Sequence, residues 1–559
     1  MRNMNSSKVK IVCENLGSTM EVEWGTTLGE IAQGLRSPSG QPFLAAYVNN
    51  SIRELDARIG EPASVRFIDI THFEGQRVYQ RTLFLALHKA VRDLYPGCRF
   101  RITHSVSRGF YCEIEGMPSS PEMVAAIKAR LDEIIAADMP IVRHKMLRDE
   151  VLEIYRKLGF EDKVEIISSR PHLYVTFYTL DDLAGYFYGA LAPSTRYIHL
   201  YDLRVYYDGI YIAVPSRREP DSFEPMIPQD KMFDIFREYK EWGDIMGVAN
   251  IGQLNRKIAE GDGGDLVKIA EALHEKKLAG IADRIAEAHR TEGAGVVLVS
   301  GPSSSGKTTF SKRLGIQLRI LGLQPTMISL DDYFLDREDT PRDENGDYDF
   351  ETIDALDIAT FNDHLNRLFA GEKVDIPRYD FITGRRQWHD KPLQLNDRSV
   401  LIVEGIHALN PKLTAQIAEN KKFKVYISCL TSISMDDLSR IHTTDNRLIR
   451  RMVRDNAYRG TSAEATLKRW QSVRRGEEKY IFPYQENADV MFNSSLLYEL
   501  PVLKRHVVPL LMSVPDTEEV YGEAVRLLRF IDNFSLLDEG EIPPTSILRE
   551  FVGGSSFDY

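Results

Sequence analysis

Apolar and polar residues alternate along "KVKIVCE" and "TMEVEW", which flank a turn at "NLGS", and the alternation predicts paired strands. "TTLGEIAQGL" follows, with a threonine cap, a glutamate and apolar residues at helical spacing. "FLAAYVNN" and "ASVRFID" read as further strands, so residues 8–70 form a small β-rich unit with one helix.

From Thr71 the period changes. "RVYQRTLFLALHKAVRDLY" is a long amphipathic helix, "RFRITHSVSRGFYCEIEG" a hairpin, and "SSPEMVAAIKARLDEIIAAD" a helix with serine and proline at its start. "HLYVTFYTL" and "IHLYDLRVYYDGIYIAVP" return to strand, which predicts an α+β region ending near Pro215. A helical stretch, broken at "AEGDGGDL" and resuming in "IADRIAEAHR", acts as a connector. From Val296 onward the apolar runs "VVLVS", "TMISL", "VLIVE" and "KVYISCL" alternate with helices, as in a parallel sheet covered on both faces. The chain therefore divides into 1–70, 71–220, 221–290 and 291–559.

At 559 residues a multidomain protein is expected, and 43% hydrophobic with 27% charged residues is a globular composition. The net charge of -12 argues against a surface that coats nucleic acid. Four scattered cysteines form no CxxC pair, and 13 histidines show no cluster at metal-ligand spacing, so no zinc site is expected. "MRNMNSSKVKIVCENLG" has no apolar leader and no run approaches a membrane span; the expected location is the cytoplasm.

Chemistry enters at "VVLVSGPSSSGKTTF". Gly301 to Thr308 match G-x4-G-K-[ST] between a strand and a helix. In such a loop the backbone N–H groups of Gly301, Ser303, Ser304, Ser305, Gly306, Lys307, Thr308 and Thr309 surround phosphate. Lys307 reaches the β- and γ-phosphates, and the Thr308 hydroxyl is placed for Mg²⁺. Two later strands end in carboxylates, Asp331 and Asp332 in "TMISLDDYF" and Glu404 in "VLIVEGI", at the sheet edge where open α/β folds bind ligands. In "DNRLIRRMVRDNAYRGTS", Arg447, Arg450, Arg451 and Arg454 fall on one helical face and Arg459 follows; we expect a lid that neutralises a phosphoryl group in transfer.

In order, "GPSSSGKTT", "SLDDYF", "DYDFETIDALD", "IPRYDFITGRR", "VLIVEGI", "DNRLIRRMVRDNAYRG" and "YIFPYQENADVMF" resemble the uridine kinase/phosphoribulokinase branch of P-loop kinases over about 296–500, closest to uridine-cytidine kinases. The resemblance implies transfer of a phosphate from ATP or GTP, with Mg²⁺, to a nucleoside 5′-hydroxyl. It implies Asp331 as catalytic base and Lys307, Arg454 and Arg459 as catalytic cations. It also implies Thr308, Glu404 and Asp331 toward the metal, and Arg451 and Tyr379 toward the acceptor. Three acceptor-side positions depart from the family: Gly384 stands where a histidine is usual, Thr461 where an arginine is usual, and Glu351 where an aspartate is usual. Pyrimidine recognition therefore does not carry over, and another hydroxylated metabolite, such as a sugar phosphate or a pantothenate-like acid, stays open as acceptor.

Residues 8–70 resemble the TGS β-grasp module of threonyl-tRNA synthetases, and "HKAVRDLYPGCRFRITHSVSRGFYCEIEG" onward resembles the adjoining editing (SAD) domain. The resemblance places Arg81, Leu85, Phe187 and Leu191 at that domain's four metal-type or catalytic positions, so editing is not expected. The fold expected is thus a β-grasp, a degenerate SAD-like α+β domain and an α/β P-loop kinase with a parallel sheet. The expected partner is a nucleoside-like small molecule. A tRNA-linked regulatory ATPase is the alternative, with tRNA contact not favoured; no membrane contact is expected, and a homo-oligomer is allowed.

Overall fold

The structure is a computed structural model that describes residues 8–343, 346–380, 382–388, 392–431 and 433–559. Residues 1–7 at the start of the chain and Phe381 of "YDFITGRR" lie outside the described residues. Lys8–Cys13 and Ser18–Glu23 pair antiparallel, and Ala63–Ile68 runs parallel beside the first, in a five-stranded sheet. The Leu28–Ala32 helix starts on a reciprocal cap: the Thr27 hydroxyl accepts the Glu30 N–H at 3.2 Å and Glu30 accepts the Thr27 N–H at 2.7 Å.

The Phe73–Leu94 helix is almost wholly buried along Leu83–Val91 because two antiparallel sheets, one of four strands and one of three, enclose it. The strand Ile141–Leu147 of the smaller sheet has a mostly exposed, basic face, which hid it from a reading based on apolar alternation. Leu85, Phe187 and Leu191 are buried in the core around this helix. Arg81 donates to Glu74 at 2.5 Å and to the Ala190 carbonyl at 3.0 Å, and its guanidinium occupies the space a side chain on Gly189 would need. Apolar packing and an ion pair thus fill the positions that the synthetase resemblance assigns to chemistry.

The helices Asp230–Met246, Ile251–Glu260 and Gly263–Glu292 follow. They do more than connect: Leu266, Val267, Leu278 and Ile285 share one core with Val151 and Tyr155 upstream and with Val297, Leu314 and Phe551 downstream. Two buried charge clusters cross the same seam. Lys163, 1% exposed, lies 3.1 Å from Asp162 and 3.9 Å from Asp436, and Arg526 clamps Asp445 through bonds of 2.7 and 2.8 Å beside Arg77.

The C-terminal sheet is parallel throughout, in the order Gln324–Ser329, Ser399–Glu404, Val296–Ser300, Lys422–Ser428, Val490–Asn493. Val296–Ser300 is buried at every position, the continuous apolar pattern a two-sided sheet demands. Among the described residues no helix is long and apolar enough to cross a membrane.

Candidate active site

The central strand ends at Ser300 and the chain turns sharply. Gly301 passes so close to the Ile427 carbonyl that a Cβ there would overlap it. Gly306 takes φ +83° and Ser304 φ +59°, and the Lys307–Ile320 helix begins at once. Its first ladder bond runs from the Phe310 N–H to the Gly306 carbonyl at 3.0 Å, so the N–H groups of Lys307, Thr308 and Thr309 precede the ladder. Gly301, Ser303, Ser304 and Ser305 complete the loop, and Lys307 folds back to the Pro302 carbonyl at 3.2 Å.

Strand register brings the acids to this loop. Glu404 lies level with Val299 on one side and Ser329 on the other. Its carboxylate accepts from the Thr308 hydroxyl at 3.3 Å and from Ser329 at 3.4 Å. Burial pushes the Glu404 carboxyl up to about 7, with Lys307 opposing and Asp331 and Glu550 adding. Asp331 is the second residue of the Leu330–Tyr333 turn that Ser329 caps, and it is exposed. The surrounding protein raises its pKa, while Lys307, Arg459 and Arg454 hold it down. Its neighbour separates from it: Asp332 accepts the Tyr379 N–H at 3.1 Å and so braces the Pro377–Asp380 strand.

The arginine helix, Thr443–Arg459, corrects the lid expectation for two of its residues. Arg447 and Arg450 are buried. Arg447 donates to Glu477, to one oxygen at 2.6 Å, and to the Ser303 carbonyl at 3.1 Å. Arg450 donates to Glu499 at 2.8 Å and to the Ser494 carbonyl at 2.8 Å. Glu477 also accepts the Ser303 N–H at 3.2 Å. Arg447 thus bonds the loop directly, and Arg450 reaches the Ser304 carbonyl only at 3.5 Å; helical spacing defines a face without saying whether core or solvent covers it. The other three share one carboxylate: Arg451 donates to the Ser303 hydroxyl at 3.0 Å, and Asp455 lies 3.3 Å from Arg451, 2.8 Å from Arg454 and 3.7 Å from Arg459. Arg459 is 57% exposed.

Among the residues expected toward the acceptor, burial pushes Glu351 up to about 7, with Glu477, Asp349 and Asp331 adding and Arg451 opposing. Gly476 lets it approach, since a Cβ there would overlap the Glu351 side chain. Tyr379 is buried edge-on to Phe334 at 5.7 Å. Gly384 has φ +70° and lies under Arg337: a Cβ would fall 2.8 Å from the guanidinium Nε, and the Arg337 N–H donates to the Gly384 carbonyl at 2.8 Å. Thr461 donates its N–H to the Asp455 carbonyl at 3.1 Å. Sequence reasoning passed over Glu477, Asp455, Arg337 and Glu550; only their positions in space mark them.

Residues 296–497 match the model of the Phosphoribulokinase / Uridine kinase family. The C-terminal region is a P-loop kinase domain of that family. Solved structures similar to the chain include one described as a possible uridine kinase from Bacillus stearothermophilus, at 20% identity and a TM-score of 0.26, covering 39% of this chain and 100% of that one. Another is a D-glycerate 3-kinase from Cryptococcus neoformans, at 16% identity and a TM-score of 0.21, covering 48% and 89%.

The N-terminal region matches threonine–tRNA ligases. The ligase of Syntrophotalea carbinolica is 32% identical over 191 residues, 34% of this chain and 30% of the ligase. That of Azobacteroides pseudotrichonymphae is 26% identical over 234 residues, 39% and 36%. The chain spans about a third of the length of these ligases.

Proposed function

We propose that this kinase domain transfers the γ-phosphate of ATP, or GTP, to the 5′-hydroxyl of a nucleoside-like acceptor. The supporting observation is the convergence of Asp331, Lys307, Thr308 and Glu404 at the carboxyl edge of the parallel sheet. Asp331 accepts the hydroxyl proton as the acceptor oxygen bonds to the γ-phosphorus in line with the breaking bond to the β,γ-bridging oxygen; the nucleoside diphosphate leaves. Lys307, Arg454 and Arg459 balance charge on the phosphoryl group in transfer. Glu351, Tyr379, Arg451 and the Gly384 and Thr461 turns form the acceptor side.

Thr308 and Glu404 offer a hydroxyl and a carboxylate 3.3 Å apart, hard oxygens that fit Mg²⁺, which takes few protein ligands beside phosphates and water. When bound, Mg²⁺ supplies charge neutralisation at the β- and γ-phosphates. Residues 1–70 and 71–220 we read as TGS-like and SAD-like domains, and 221–290 as a helical connector that packs between 71–220 and the kinase region 291–559.

One observation favours a second acceptor class. Arg337 covers Gly384, and a guanidinium suits a phosphate or carboxylate on a sugar phosphate or a pantothenate-like acid. Turnover of ATP across nucleosides, sugar phosphates and hydroxy acids, with and without tRNA, tests both. Stimulation by one nucleoside supports the first reading and stimulation by an anionic alcohol the second. Turnover that needs tRNA and ignores every acceptor contradicts both.

A further inference from the structure

The segment after the last long helix returns to the phosphate loop. Ile547, Leu548 and Phe551 are fully buried and anchor it, with Phe551 under the Arg450 guanidinium at 5.0 Å. Ile547 packs against Gly306, where a Cβ would fall 2.6 Å from its Cγ2. From this anchor two half-exposed groups reach one residue of the loop. The Glu550 carboxylate accepts from the Thr309 hydroxyl at 2.6 Å and lies 3.4 Å from the Thr309 nitrogen, and the Tyr559 hydroxyl lies 2.9 Å from the Thr309 hydroxyl. Lys312, one turn on, donates to the Asp558 carbonyl and lies 5.4 Å from the Tyr559 ring centroid.

Thr309 is the third of the three amides that open the helix, the positions at which an anion is favoured. A carboxylate already faces it. The Glu550 charge also acts on Glu404, where it helps hold that carboxyl up. A phosphate oxygen and the Glu550 carboxylate cannot share the Thr309 donors without two anions in contact.

We propose that residues 546–559 are an intramolecular competitor for nucleotide phosphate: Glu550 occupies the Thr309 donors, the Tyr559 hydroxyl donates to the Thr309 oxygen and holds that arrangement, and both withdraw when a nucleoside triphosphate binds. This rests on the reading of the loop as a triphosphate site. Because Ile547, Leu548 and Phe551 hold the segment, withdrawal is a swing of Glu550 and of residues 553–559. The segment thereby sets the nucleotide concentration at which the kinase engages.

The test is calorimetric titration of full-length protein with ATP and MgCl2. Glu550→Gln keeps a hydrogen-bond acceptor and removes the charge; its Kd for ATP is expected to fall about tenfold, the scale of a charge at a helix N-terminus. Tyr559→Ala shifts Kd in the same direction and carries the test should Glu550→Gln express poorly. Glu541→Gln, whose exposed carboxylate lies 3.4 Å from Lys268, leaves Kd unchanged. An unchanged or weaker Kd in both Glu550→Gln and Tyr559→Ala overturns the competitor role while leaving the triphosphate site standing. Absence of ATP binding in every protein, wild type included, overturns both.

Discussion

Arg447 and Glu477 form a two-pronged ion pair, 1% and 0% exposed, and both partners also bond the backbone of Ser303 in the phosphate loop. The loop is therefore held by a buried charge pair that joins two helices, Thr443–Arg459 and Ala463–Tyr480. Removing one partner strands the other. Glu477→Leu is expected to cost about 3–5 kcal/mol in urea unfolding, whereas Arg447→Met with Glu477→Leu recovers most of it. Equal losses in the single and double variants would contradict this account of the pair.

Asp331 is the exposed carboxylate among the loop's cations. Asp331→Asn removes the proton acceptor and keeps the shape. Turnover should fall about 10²–10⁴-fold while Kd for ATP changes little. Near-normal turnover would mean that another group takes the proton.

Gly476 is a glycine inside a helix, where alanine ordinarily stabilises by about 1 kcal/mol. Here the added methyl meets the Glu351 side chain. Gly476→Ala should raise KM for the acceptor several-fold and leave KM for ATP within about twofold. A parallel rise in both would place Glu351 outside the acceptor site.

Burial lowers His88 to about 3, with Lys163 adding to the effect. The unfolded chain titrates near 6.5, so unfolding takes up a proton between these values. The stability tied to neutral His88 is complete above about pH 6.5 and declines below it by about 1.4 kcal/mol per pH unit. Glu351 and Glu404 act with the opposite sign: their pKa values are raised, and the stability of the neutral form is lost as pH rises toward 7. Comparing wild type with His88→Leu isolates the histidine. Urea unfolding from pH 7 to 5 should show a shallower decline in the variant, and identical slopes would contradict the assignment.

The strand–loop–helix at Val296–Phe310 was legible because a two-sided parallel strand leaves an unbroken apolar run and the turn demands glycines. Asp331 and Glu404 followed from their places at strand ends. The arginine row was half legible: its period gave the face, but the buried partners Glu477 and Glu499 lie 30 and 49 residues from Arg447 and Arg450. Glu550 was illegible for the same reason, being 241 residues from Thr309. Leu85, Phe187 and Leu191 signalled lost chemistry in the sequence, and their packing shows what replaced it.

The central claim is phosphoryl transfer to an organic hydroxyl. Incubating the protein with ATP labelled at the γ-phosphate and a panel of acceptors, then separating the products by chromatography and mass, tests it directly. Label in an organic monophosphate, absent with Asp331→Asn, is the result predicted. Label released only as inorganic phosphate, whatever the acceptor, would contradict it.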